Sequence, residues 1–368
     1  MRFGVFLLSQ APEGVLTAEA ALRREIGQAQ FAEELGFDSV WVAEHHGSSY
    51  CVVPDTLTYA SHLAAVTSRV RIGLGVSVLP LRNPLEFAER AVLVDLLSGG
   101  RLDIGVGRGY SKTEFETYGQ ALEDRRDRFE EALEVVIRAW TEDGFDHEGH
   151  FWRFRNVSIH PKPLQEPHPP LYIATAGTPD TVASIARRGL PMLHGDEFVT
   201  PNKMAARFRD YAQLMLATGH TAASAMSNVS QSWVAQKVYL AATTREAKEY
   251  VKPFLEWRFQ SFAGLLPSMR APSFEAKLRR RVPALKAVLN STGTKTTAEM
   301  TGDDLVKFDI FGTPDDCIER LQEFAAAGVR NVICSFSYGG MPDEKVRETM
   351  RLFAREVVPA LARSTIAA

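Results

Sequence analysis

The chain has 368 residues, 42 basic and 45 acidic side chains, a net charge of −3 and 45% hydrophobic content. The charges are well mixed with no basic stripe, which argues against a nucleic-acid partner, and no run approaches the ~18 apolar residues that would cross a bilayer. The three cysteines, Cys51, Cys317 and Cys334, lie far apart and suggest neither a disulfide framework nor a metal cluster, and the chain opens directly on the strand-like MRFGVFLL with no signal-peptide pattern, so a cytoplasmic protein is expected.

Taken in order, short β-rich runs alternate with helical patterns. Arg2 to Leu8 reads as a first strand, and Leu22, Ile26, Ala29 and Ala32 mark one helix face that Gly36 ends. Ser39 to Ala43 is the second strand and Thr56 to Thr67 the next helix. Val70 to Val78 is the third strand, followed by a helix from Pro84 to Leu97 with proline in its first turn. Leu102 to Val106 is the fourth strand, and a loop leads to a helix with an apolar face of Phe129, Leu133, Val136, Ile137 and Trp140. Gly149 to Val157 reads as a small hairpin arm. Leu171 to Ala174, Pro191 to His194, Gln236 to Ala241 and Asn331 to Ser335 complete the strands, with helices from Pro179 to Arg188 and Pro201 to Ala217 between them.

Eight such runs fit an α/β fold with a closed parallel (β/α)8 barrel, a TIM barrel of one domain spanning 1–368. Such barrels use ~250 residues, and more with insertions. An open doubly wound sheet fits the same alternation, but the first strand–helix junction lacks a G-x-G-x-x-G turn. The stretch 264–305 breaks the rhythm after strand seven. It is expected to be a lid over the C-terminal mouth of the barrel, the alternative being a surface insertion without function.

Barrel chemistry sits at the C-terminal strand ends. Strand two ends in Glu44-His45-His46, strand four in Gly107-Arg108-Gly109-Tyr110, and strand five runs into Gly177-Thr178-Pro179-Asp180-Thr181. Adjacent histidines at a strand end point in opposite directions, and no H-E-x-x-H spacing occurs, so no metal site is expected. A single histidine there suits proton transfer, or else a backbone hydrogen bond. Glu44 is expected to pair with Arg108 across neighbouring strand ends. Gly107 and Gly109 let the backbone approach a flat ligand. The helix start after Gly177 favours an anion and offers the hydroxyls of Thr178 and Thr181, although Thr178 also reads as an ordinary N-cap. Arg126 or Arg125 would supply the cation that a phosphate needs.

GFDSVWVAEHH (36–46), RVRIGLGVSVLPLRNPLEFAE (69–89), DLLSGGRLDIGVGRGY (95–110), PLYIATAGTPDTVASIARRGLPML (170–193) and FGTPDDCIERLQEFAAAGV (311–329) together resemble the bacterial luciferase-like flavin-dependent monooxygenases. The likeness covers most of the chain. It implies a reduced flavin at the mouth, with dioxygen giving one oxygen atom to a small organic substrate and the other to water. The catalytic residues it implies are His45, near the reacting flavin edge, with Arg108 and Glu44. The cofactor-binding residues are Gly75, Val76, Ser77, Arg108, Arg126, Gly177, Thr178 and Thr181, and Leu79 would pack near the ring. Glu114 falls where luciferases carry an acidic residue behind the site, and a cis peptide bond is implied at Gly75-Val76. The cofactor is expected to be FMN, reduced by a separate flavin reductase because no nicotinamide fingerprint is present, and a homodimer is expected. Phe6, Leu8, Leu79 and Tyr110 suggest an apolar substrate pocket. The alternatives on the same fold are a deazaflavin-dependent oxidoreductase that transfers hydride and a non-catalytic flavin-binding protein. Light emission is not implied.

Overall fold

Alternating runs of branched apolar residues and amphipathic helices wind into one closed ring of strands. The computed structural model describes residues 1–196, 198–265 and 300–366. In chain order its first half comprises β1 (Arg2–Leu7), α1 (Ala18–Leu35), β2 (Ser39–Val42), α2 (Thr56–Val66), β3 (Arg71–Leu74), β4 (Ser77–Val78), α3 (Pro84–Leu97), β5 (Leu102–Gly107), α4 (Lys112–Thr117) and α5 (Arg125–Thr141). An antiparallel hairpin of β6 (Phe145–Glu148) and β7 (Arg153–Val157) stands outside the barrel. Then follow β8 (Leu171–Thr175), α6 (Pro179–Arg188), β9 (Met192–His194), α7 (Pro201–Ala217), α8 (Ala222–Gln231), β10 (Trp233–Leu240) and α9 (Thr244–Leu265). After residue 299 come a short helix Gly302–Leu305, β11 (Ile310–Gly312), a helix Pro314–Ala326, β12 (Asn331–Ser335) and a C-terminal helical segment from Asp343.

The ring runs β1-β2-β3-β5-β8-β9-β10-β12 and closes where β12 pairs with β1, all in parallel. This is the (β/α)8 TIM barrel; the open sheet is excluded by that closure. Helix boundaries follow local chemistry. Asn83 accepts N–H bonds from Leu85 and Glu86 at the start of α3, with Pro84 in its first turn. Gly36 adopts φ 83° at the end of α1.

The barrel axis is filled, not hollow. Trp41, Tyr172, Leu193, Trp233 and Ile333 form an inner cluster with Phe6 and Val76 packed against it. The Trp41 ring lies 5.3 Å from that of Trp233 and 5.8 Å from that of Tyr172. Its indole N–H donates to Ser39 Oγ at 2.8 Å, which satisfies that buried donor. Glycine makes the room: a Cβ on Gly73 would fall 2.3 Å from the Trp41 ring, and one on Gly4 within 2.8 Å of it. At the N-terminal end, inward-facing Arg71 grips Asp103 with two bonds of 2.9 and 2.8 Å. The paired, fork-like geometry lets that carboxylate be buried.

Several details differ from the sequence expectation. The third strand divides at the Gly75-Val76 cis peptide into β3 and β4. The loop after strand four contains α4, capped by Ser111. The hairpin begins at Phe145, before the expected Gly149. β11, not foreseen, pairs with the outer half of β10. Of the expected lid 264–305, residues 264 and 265 end α9 and 302–305 are helical, while 266–299 lie outside the described residues. No helix among the described residues is long and apolar enough to cross a membrane.

Replacing Gly73 with alanine forces a methyl group into the Trp41 ring. The Gly73→Ala variant is expected to lose about 1–3 kcal/mol of stability, read from the urea unfolding midpoint. An unchanged midpoint would show that Trp41 is not held against that glycine.

Candidate active site

At the end of β2 the side chains of His45 and His46 diverge, as strand alternation requires. His45 is held at both ring nitrogens. Nδ1 lies 2.9 Å from Glu114 Oε1, and the Tyr110 hydroxyl lies 3.2 Å from Nε2. With Glu114 as carboxylate, Nδ1 carries the proton and Nε2 keeps its lone pair, which accepts from Tyr110. Glu114 is 2% exposed and also accepts the His46 backbone N–H at 3.1 Å. It sits at the third position of α4, after Ser111. The S-x-x-E pattern reads as a capping box, but the Glu114 carboxylate turns to His45.

His46 belongs to a separate network. Its Nε2 lies 3.1 Å from Glu44 Oε1, and its Nδ1 2.9 Å from the Tyr118 hydroxyl. Arg82 donates to the other Glu44 oxygen at 2.7 Å and to the Pro54 carbonyl at 3.0 Å. Burial works against the Arg82 charge, but Glu44 and Asp55 outweigh it and raise its pKa. The expected Glu44–Arg108 pair is therefore not formed. β3 lies between β2 and β5, so the two strand ends are not neighbours. Glu44 is fully buried in an ion pair behind the mouth, and no local pattern in the sequence marked Arg82 as its partner.

Arg108 instead hydrogen-bonds the Thr181 hydroxyl. Thr178 occupies the N-cap position of α6 without capping it; its hydroxyl lies 2.5 Å from that of Thr181. Gly177, at φ 82°, completes the turn. A Cβ there would fall 2.1 Å from the Arg207 guanidinium, so glycine admits that second cation, which donates to the Ala176 carbonyl at 3.0 Å. The pKa of Arg108 is lowered first by burial and then by Arg125, with Arg126 adding to the effect against Glu130 and Asp180. Arg126 is exposed at the start of α5, beside Arg125, whose Nη1 donates to the Leu122 carbonyl at 2.8 Å. Arg108 with Arg125 and Arg126 around two hydroxyls and a glycine turn suits a phosphate dianion, while Arg207 is paired with Asp196 at 3.3 Å.

Between these two groups Gly75, Val76 and Gly107 pack closely. Val76 joins the inner cluster, and a Cβ on Gly107 would come within 2.7 Å of its side chain. Gly75 is similarly confined, 3.3 Å from the Phe6 ring at its missing Cβ. The Ser77 hydroxyl is bonded to Thr56 on α2, and Ser77 is fully buried. A planar ring with a phosphate tail fits this combination of close-packed segment and anion pocket. Tyr50 and Tyr110 stand 5.1 and 5.8 Å from His45, and Phe262 of α9 lies 5.6 and 5.7 Å from those two rings. Phe262 carries no local motif, so nothing in the sequence marked it. Leu8 and Leu79 are buried in the main core. Among the described residues, no group of three or more His, Cys, Asp or Glu could hold a metal ion.

The profile of a family described as luciferase-like monooxygenase matches residues 1–331. The alkanal monooxygenase alpha chain of the Kryptophanaron alfredi symbiont is 25% identical over 98% of each chain. The oxygenase component of a flavin-dependent trigonelline monooxygenase from Acinetobacter baylyi is 25% identical over 100% of this chain and 97% of its own. The solved monooxygenase RslO1 of Streptomyces bottropensis superposes with a TM-score of 0.81 at 26% identity, covering 98% of this chain and 99% of that one.

Removing Arg82 leaves the Glu44 carboxylate buried against His46 without its guanidinium. Arg82→Leu is expected to cost about 3 kcal/mol in a thermal melt, and adding Glu44→Gln to it should recover part of the loss. Full stability of the single variant would contradict the structural role of this pair.

Proposed function

The chain belongs to the luciferase-like monooxygenase family, and from that membership and this site we propose that it uses reduced FMN and dioxygen to place one oxygen atom in a small organic substrate. The observation that carries the proposal is the pairing, at one barrel mouth, of a cationic phosphate pocket with a histidine fixed at both nitrogens. FMN when bound would supply the activation of oxygen; the protein's part is binding, orientation and exclusion of water.

Arg108, Arg126, Thr178, Thr181 and the Gly177 turn hold the phosphate in this reading. Gly75, Val76 and Gly107 support the ring, and Ser77 fixes that segment through Thr56. His45 is the catalytic acid–base group. Glu114 keeps its proton on Nδ1, so Nε2 takes a proton from the reacting centre or returns one. Tyr110 occupies that nitrogen through its hydroxyl and must yield to the substrate. Glu44 acts at one remove, through His46 and Arg82. A separate reductase supplies the reduced flavin, a reading supported by the words "oxygenase component" in the name of the Acinetobacter relative. The buried free thiols Cys51, Cys317 and Cys334 suit a cytoplasmic setting.

A homodimer is part of the proposal. Leu93, Leu96 and Leu97 are 53, 37 and 63% exposed on one face of α3. Such a stripe favours burial against another surface. Leu93→Glu with Leu97→Glu is expected to give monomers in sedimentation, and an unchanged mass would move the interface elsewhere.

The central test is oxygen uptake with chemically reduced FMN and a substrate panel. Incorporation of labelled oxygen into product supports the proposal. Oxygen-independent turnover with a reduced deazaflavin would replace it with the hydride-transfer reading, and tight FMN binding without turnover with the binding-protein reading. His45→Ala should keep flavin affinity but slow product formation by about 100-fold. Arg126→Ala should weaken reduced-FMN binding, and an unaltered dissociation constant would place the phosphate elsewhere.

A further inference from the structure

Opposite the cationic phosphate pocket, a second set of polar groups is buried where the exit loops of β1, β2 and β12 meet α9. The loops after β1 and β2 are tied by backbone bonds from Ala11 N to Ser49 O, 2.9 Å, and from Val52 N to Ser9 O, 3.1 Å. Gln10 Oε1 accepts the Gly339 N–H at 2.6 Å, which draws in the loop after β12. Gly339 sits against the α9 backbone, where a Cβ would meet the Phe254 carbonyl at 2.3 Å. One turn along α9, the Arg258 guanidinium lies 5.7 Å from the Tyr50 ring, which also lies 5.1 Å from His45.

Gln10, Tyr338 and Arg258 are 6, 1 and 7% exposed. The Gln10 amide nitrogen and the Tyr338 hydroxyl have no hydrogen-bond partner among the described residues. Burial holds the Tyr338 phenol well above its ordinary pKa, so it remains a donor. Asp309, which acts on Tyr338, is itself engaged by the Lys237 N–H at 2.9 Å and its ammonium at 2.7 Å. Leaving desolvated donors unmatched is costly, and an anionic oxygen acceptor would satisfy them. Beside them, Tyr50, Tyr110 and Phe262 supply aromatic walls suited to a ring.

We propose that Gln10, Tyr338 and Arg258 form the subsite for the carboxylate of the substrate, and that the substrate is an aromatic carboxylic acid whose ring lies against the wall made by Tyr50, Tyr110 and Phe262, with the reacting position toward His45. This specifies the substrate class of the oxygenation proposed above and rests on that reading for its role in turnover. It adds an anion-binding end to the apolar pocket expected from the sequence.

The test is calorimetric titration of the full chain, without flavin, with 2-naphthoate and with the neutral 2-naphthalenemethanol and decanal. 2-Naphthoate should bind at least tenfold tighter than either neutral probe. Tyr338→Phe should weaken naphthoate about tenfold, the size of one lost hydrogen bond, without lowering the melting temperature, because that hydroxyl has no hydrogen-bond partner among the described residues. Arg258→Gln should weaken it at least as much and leave the alcohol unaffected. Equal affinity for acid and alcohol, absence of naphthoate binding, or variants that leave the ratio unchanged would overturn the subsite. A parallel FMN titration of the same protein keeps the two readings apart: failure of FMN to bind would sink the flavin reading while leaving the acid subsite standing.

Discussion

The fit of Trp41 against glycine is the constraint on which the rest of the barrel depends. A tryptophan ring is too large for an eight-stranded interior unless neighbouring strands give up their side chains, and Gly4 and Gly73 do so. Once the ring is seated, the alternation of β2 is fixed. Residues spaced by two from Trp41 share its side of the strand, and continuing that count past the strand end brings His45 to the mouth and sends His46 outward. A one-residue slip would bring either His46 or Glu44 to the position that His45 occupies.

That exchange is resisted on both sides. His45 is gripped by Glu114 from α4, and His46 by Glu44, itself tied to Arg82. Each histidine therefore has its own carboxylate. The same economy appears at the ends of β5 and β8, where Arg108 and Thr181 meet across adjacent strands. Neighbouring strands allow that contact; the wider gap between β2 and β5 denies Arg108 to Glu44.

The periodicities of the chain made the architecture readable. Asn83-Pro84 announces α3, the Phe129-to-Trp140 face announces α5, and the strand-end clusters of the second, fourth and fifth strands do meet at one mouth. What local patterns could not convey is partnership at a distance. Arg82 lies in a polar turn like many others, and only folding brings it to Glu44. Phe262, Gln10 and Tyr338 come from elements far apart in the chain, joined through α9 and the loop bonds. Glu114 is instructive because its capping pattern was present, yet the carboxylate turned from its own helix to a stronger partner: an imidazole N–H in a buried setting outweighs a backbone donor of the helix N-terminus.

The Arg71–Asp103 clasp, beneath the Tyr172 and Trp41 layer, shuts the N-terminal end of the axis. With the axis filled from that clasp up to the Trp41 cluster, the ligands of the proposed site could reach it only from the C-terminal mouth.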